Sequence, residues 1–411
     1  MIARSRSWSP PLDLRRAVAA ATAGVALFAL AWALLHVGFW DDEQIVDTPV
    51  YQRYGERILA GQVPYGDFNV EYPPAALPVF VFPSFGDAEH YRPLFETLML
   101  VCGAAAVAFA AFALAALRAS TSRLFGAVAF VALAPLLLGS VVLTRYDLWP
   151  AALVAAAVAA LLAGRGRVGF ATLGLAVAAK AYPLVLLPLA LLYVGRRDGR
   201  REAIAGGAVF AVVVLAAFLP FLVLAPDGLA ESFERQTDRP LQIESLGSAF
   251  LLAGQQLDLY VARVVTTHGS QNLGGAVPET LATLHTVVQA LAVAAVWIAF
   301  ARSRAEPERF VAASAGAVVA FVAFGKVLSP QYLIWLLPLV PLVGGAGGFG
   351  GAVLLAAALV LTQLWFPTRY WDMVGLEPVA WLVLLRDLTL VALFAVLVAV
   401  TGKARGSPRS A

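Results

Sequence analysis

Apolar runs recur along almost the whole chain, each roughly 20 residues long and so able to cross about 30 Å of hydrocarbon. No other feature constrains the fold so strongly. The chain has 411 residues, of which 61% are apolar and 13% charged, with a mean hydropathy of +0.80. A soluble core of this size needs nothing like that fraction, so lipid is the solvent for most of the surface. Backbone exposed to lipid must satisfy its own hydrogen bonds, and the period-two alternation of a barrel is absent. The expected fold class is therefore an all-α polytopic membrane protein, a single integral membrane domain over 1–411. The first run, Ala17 to Val37, is of spanning length without a convincing cleavage site, which fits a signal anchor. The lone cysteine, Cys102, lies in an Ala-rich run, so no disulfide framework, Cys-ligated metal or haem attachment is available.

The runs place about twelve spans near 17–38, 92–117, 124–143, 148–163, 168–180, 182–195, 203–225, 280–301, 310–325, 330–344, 350–366 and 379–400. Basic residues cluster at Arg4 to Arg16, Arg118 and Arg123, Arg165 and Arg167, Arg196 to Arg201, Arg302 to Arg309 and Lys403 to Arg409. The positive-inside rule puts all of these, and both termini, in the cytoplasm. Arg165/Arg167 and Arg196 to Arg201 can share that side only if the run between them goes out and returns, which splits it at Lys180. Most acidic residues then fall outside, in a first outer loop over 38–91 and a second over 226–279. Long polar loops on one face are where function is sought. The Gly-rich stretch Gly344 to Gly351 lacks a preceding strand and a following Lys-Ser/Thr, and reads as an inner turn rather than a phosphate loop.

Asp41, Asp42, Glu43 and Asp47 follow the first span directly. A carboxylate at the lipid interface beside apolar groups suits a general base, and a solvated loop obeying the charge rule explains the same residues. The proline-dense stretch from Gly61 to Phe68 and on through Glu71 to Pro78 is expected to be a rigid loop with no regular helix. Arg145-Tyr146-Asp147 separates two spans with almost no linker, and reads either as a local ion pair or as functional charge. Lys180 and Lys326 are lone cations at the outer ends of spans, where an anionic headgroup would need them and where snorkelling would also put them. Arg235 and Arg239 suit bidentate phosphate contacts, with salt bridges to Glu234, Asp238 and Glu244 as the structural alternative. The four histidines show no metal spacing and no triad arrangement.

Asp47-Thr-Pro-Val-Tyr51, the Gly61 to Tyr65 turn, Glu71-Tyr72-Pro-Pro74, Arg145-Tyr-Asp147, Lys180-Ala-Tyr-Pro183, Arg239-Pro-Leu-Gln-Ile-Glu-Ser245 and Ser329-Pro-Gln331-Tyr332 together resemble glycosyltransferase family 87. That bacterial family includes polyprenyl-phosphate-mannose-dependent α-1,2-mannosyltransferases. The resemblance implies a GT-C-like bundle in the bacterial plasma membrane, an extracytoplasmic active site and an aspartate base in the first outer loop. Asp47 matches that position, and the general GT-C pattern of two neighbouring acidic residues points instead to Asp42. The expected partners are membrane lipids, a polyprenyl-phosphate sugar donor carrying mannose or another hexose, and a glycolipid or glycan acceptor.

Such a transfer needs one carboxylate for the acceptor proton and cations for the departing phosphate. Arg145, Lys180, Arg239 and Lys326 are the candidates for the phosphate, with Tyr51, Glu71, Tyr72, Asp147, Gln331 and Tyr332 in support. No cofactor or metal is called for, since these cations could replace one, and a single displacement would invert the anomeric carbon. Nucleic acid is not an expected partner. The rival class is a lipid or solute transporter or flippase, which predicts paired charges near the midplane and repeated halves. Nearly all charges instead fall at the two faces, and no repeat is evident.

Overall fold

The protein is described here by a computed structural model over residues 13–41 and 45–402. In chain order its helices are α1 (Leu14–Leu34), α2 (Thr48–Leu59), α3 (Leu77–Val81), α4 (Tyr91–Ala116), α5 (Thr121–Leu138), α6 (Val141–Thr144), α7 (Leu148–Leu162), α8 (Gly166–Ala179), α9 (Leu187–Arg197), α10 (Arg200–Leu224), α11 (Pro226–Thr237), α12 (Leu246–Gln256), α13 (Ala276–Arg302), α14 (Pro307–Ala323), α15 (Gly345–Gln363), α16 (Tyr370–Val374) and α17 (Ala380–Gly402). Among the described residues seven helices are long and apolar enough to cross a membrane: α1, α4 with the turn before it, α5, α10, α13, α15 and α17. The stretches Leu148–Leu162, Gly166–Ala179 and Pro330–Leu342 are apolar but shorter. The protein is a mostly helical, polytopic membrane protein.

Each apolar run forms helical structure, and the departures from the expected boundaries have local causes. The run expected at 124–143 stops at Leu138, where Pro135 lies one turn back and Gly139 turns at φ +86°. The run over 168–195 divides at Lys180, whose backbone is extended (φ −160°, ψ 142°) between α8 and a 3-10 turn over Tyr182–Leu186. The expected span at 330–344 is not an α-helix but the 3-10 turns Pro330–Leu336 and Val340–Leu342. Pro330, Pro338 and Pro341 each lack the amide a regular helix would use. This stretch is buried among other helices, where irregular backbone at membrane depth is tolerated.

Two expectations for the long loops over 38–91 and 226–279 need correction. From Pro74 on, the proline-dense stretch is a chain of short helical turns, Pro74–Ala76, α3 and Phe82–Phe85, with a proline in the first turn of each. A first-turn amide has no intrahelical acceptor, so proline starts these turns without loss. The second loop is not purely helical. Val264–Thr267 (β1) and Ser270–Leu273 (β2) form an antiparallel hairpin pairing Val264 with Leu273 and Thr267 with Ser270. It turns at His268 and Gly269, both with positive φ, as a two-residue hairpin turn of type I′ requires.

α1 packs on α4 and α5, α4 on α7, α7 on α8, and α8 on α10, while α14 lies against α13 and α17. At the arginine-rich end, side chains close the helix termini. Arg196 donates to the carbonyls of Ala301 (2.6 Å) and Ser303 (2.7 Å) at the end of α13, and Arg197 to that of Leu161 (2.8 Å) at the end of α7. The last carbonyls of a helix have no internal partner and carry the negative end of its dipole. Not every charge is at a face, however. Arg386 and Asp387, inside α17, are fully buried and pair at 2.6 Å.

Candidate active site

Polar side chains meet in one cavity because the helices that carry them stop early. The breaks at 139–147, 180–186 and 324–336 each expose a few residues of non-α backbone, and all three face a cavity of about 620 Å³. The loop within 38–91, α11, the segment 239–245, the hairpin and residues 366–371 complete its walls. Asp47, Arg145, Lys180, Arg239 and Lys326 all line it, as do Tyr51, Glu71, Tyr72, Asp147, Gln331 and Tyr332. Asp42 lies outside the described residues.

Arg145 and Asp147 do not pair with each other. Arg145 Nη1 sits 2.8 Å from Asp47 Oδ1, at the N-terminus of α2, where the helix dipole favours a negative charge. Tyr51, one turn along, approaches the other Asp47 oxygen at 3.4 Å. Asp47 keeps access to the cavity, with a third of its side chain exposed (32%), whereas the Arg145 side chain is 6% exposed. Asp147 turns the other way: its Oδ1 accepts from Lys180 Nζ (2.5 Å) and from Trp335 Nε1 (2.6 Å). The ammonium lies over the rings of Tyr146 (4.5 Å), Trp335 (5.0 Å) and Tyr332 (5.6 Å). Three aromatic faces and one carboxylate hold this cation in a fixed place.

The segment 239–245 forms a shelf on the opposite wall. The backbone amide of Gln242 donates to Lys326 O (2.9 Å), its side chain accepts from the amide of Leu328 (2.8 Å) and donates to Ser329 Oγ (3.0 Å). Ile243 N bonds Gln271 O (3.1 Å), and Leu273 N bonds Leu241 O (2.9 Å). The second loop is thereby tied to the break after α14. Arg239 donates to Ser270 Oγ (3.1 Å) and Lys326 to Thr237 O (2.6 Å), so both cations are anchored at the cavity edge. Arg235 turns away to Glu231, one helical turn back (2.6 Å), rather than to Glu234 or Asp238.

Burial raises the carboxyl of Glu71, opposed chiefly by Arg239. Glu244, 3% exposed, is pushed up to about 8 by burial, with Arg386 and then Arg145 opposing. Burial lowers the Lys326 ammonium. Gln242, Glu244, Trp335 and His268 also belong to the cavity, although none of them was among the site residues expected from the sequence. Gln242 and Glu244 stand inside the run 239–245, and alternation along an extended segment is the one cue to which of its residues face the site.

The fold and the sequence each have a counterpart among known proteins. The chain is similar in structure to ArnT from Cupriavidus metallidurans, solved bound to undecaprenyl phosphate, with 16% identity and a TM-score of 0.50 over 95% of this chain and 78% of that one. This likeness is one of fold, and the fold is GT-C-like. No curated protein matches the sequence. The pattern of glycosyltransferase family 87 matches residues 70–330, a stretch that holds Glu71, Arg145, Asp147, Lys180, Arg239 and Lys326, while Asp47 and Tyr332 flank it. With well over half of its length matched, the chain belongs to glycosyltransferase family 87 and is a membrane glycosyltransferase.

Proposed function

We propose that this protein moves mannose or another hexose from a polyprenyl-phosphate donor to a hydroxyl of a glycolipid or glycan acceptor, with inversion, at the extracytoplasmic face of a bacterial plasma membrane. The observation that carries the reading is the Asp47–Arg145 pair at 2.8 Å, in the same cavity as Lys180, Arg239 and Lys326. Asp47 takes the proton of the acceptor hydroxyl as its oxygen attacks the anomeric carbon. The bond from that carbon to the phosphate oxygen breaks, and the electron pair leaves with the phosphate. Arg145 holds Asp47 in place, and the cations of the cavity stabilise the charge that grows on the phosphate. One displacement inverts the centre.

A lipid phosphate suits this cavity on both counts, head and tail. Leu229 and Phe233 of α11 line it beside α10, whose only buried residues are Ala203, Gly206 and Phe210, so an isoprenoid chain can enter from the bilayer. The ligand recorded with ArnT is of the same chemical kind. Asp47→Asn tests the assignment: membranes given labelled polyprenyl-phosphate mannose should form product about 10²–10⁴-fold more slowly. Undiminished product from a stably inserted variant would remove Asp47 as the base. Wild-type membranes that consume no polyprenyl-phosphate sugar would remove the donor.

A further inference from the structure

Arg386 and Asp387 stand in a spanning helix, both 0% exposed, where an ion pair is expensive to bury and by default serves a function. Both lie beyond the stretch 70–330 that matches the family. Arg386 Nε meets Asp387 Oδ1 (2.6 Å), its Nη2 donates to the backbone carbonyl of Glu244 (2.8 Å), and its guanidinium lies 5.7 Å from the Trp365 ring. A rigid cation thus fixes one peptide of the cavity shelf. The side chain on that peptide, Glu244, lines the cavity and, among the described residues, accepts a single distant hydrogen bond, from Gln242 (3.5 Å).

We propose that Glu244 binds the phosphate of the lipid donor as a carboxylic acid, donating its O–H to a phosphate oxygen, and that Arg386 is the residue that positions it. This rests on the donor reading given above. The charged and titratable groups around Glu244 come from every side: Arg386 and Asp387 from α17, Arg145 from the break before α7, Arg239 from its own segment, and the phenols of Tyr332 and Tyr370. Ionised, Glu244 would compete with a phosphate for Arg145 and Arg239 and repel it. Neutral, it adds a donor that neither arginine supplies. Its titration near 8 leaves it protonated at neutral pH and ionised above that, so phosphate binding weakens as pH rises through that range.

Binding of undecaprenyl phosphate to the full-length protein in nanodiscs, measured from pH 6 to pH 10, tests this. The wild-type dissociation constant should be level up to about pH 8 and then rise by about tenfold per pH unit, because one proton must be bound for the phosphate to enter. Glu244→Gln donates at every pH and should flatten the profile. Replacing the buried pair by Arg386→Gln with Asp387→Asn removes the larger opposing charge and should move the rise to higher pH. A merely structural role for the pair would weaken binding at every pH and leave the rise where it was. A level wild-type profile, or a rise that persists in Glu244→Gln, overturns the proposal. No binding by wild type at any pH overturns the donor reading itself.

Discussion

Asp147 holds Lys180 and the Trp335 indole on a single carboxylate oxygen, and it is 1% exposed. Removing one member of a buried pair leaves the other charge without compensation, at about 3–5 kcal/mol. Asp147→Ala should therefore lower stability by that amount, read from unfolding in detergent, and Asp147→Asn, which can still accept from Trp335, by less. Lys180→Met removes the cation but keeps much of the aliphatic stem in its aromatic box. We expect the fold to persist and turnover to drop by about 10²–10³-fold, as when one preorganised charge-stabilising donor is lost. An unchanged rate in that variant would take Lys180 out of phosphate stabilisation. The sequence made the charges visible and not their partners: Arg145 and Asp147 are neighbours that point to different cations and anions. Pairing depends on which helix ends face each other, and no spacing rule supplies that.

At the scale of elements, the site is made by interruptions. A continuous helix would have carried Lys180 and Tyr332 past the cavity, and prolines, a positive-φ glycine and extended residues stop it. The splitting of 168–195 at Lys180 was legible because charge on both flanks demanded it. The irregular 330–342 stretch was not, since its composition alone is that of a span. α11 is seated closely on the loop within 38–91: a Cβ on Gly228 would collide with the carbonyl oxygen of Tyr65, and Ser232 Oγ donates to Val70 O (2.7 Å). Gly228→Ala should unseat this wall, lowering the melting temperature and raising the KM for donor. Gln242→Ala deletes two side-chain hydrogen bonds that tie the shelf to the break after α14, at about 1 kcal/mol each. Its expected signature is a loss of about 2 kcal/mol with a raised KM, and a wild-type KM would show that the shelf is held well enough without it.

For the molecule as a whole, the arrangement that matters is which end of the bundle faces out. The cavity opens at the end rich in acidic residues, and the arginine clusters cap helices at the other. The only cysteine, Cys102, is buried, so single cysteines can report sidedness. Glu234→Cys on α11 should react with a membrane-impermeant maleimide in intact cells, and Asp198→Cys between α9 and α10 only after permeabilisation. The reverse pattern would put the cavity in the cytoplasm and end the extracytoplasmic reading. Hydropathy and charge are properties of local sequence, so the sequence by itself determined that the protein lives in lipid, where its helical runs lie and which loops carry the acids and cations. Tertiary structure alone decided what those charges do to one another. It joined Asp47 to Arg145 and Asp147 to Lys180, placed the Glu244 carbonyl on an arginine 142 residues away, and gathered residues from distant breaks into one cavity. The physical reason is that an ion pair depends on distance and burial, and both are set by how helices pack rather than by the order of residues along them.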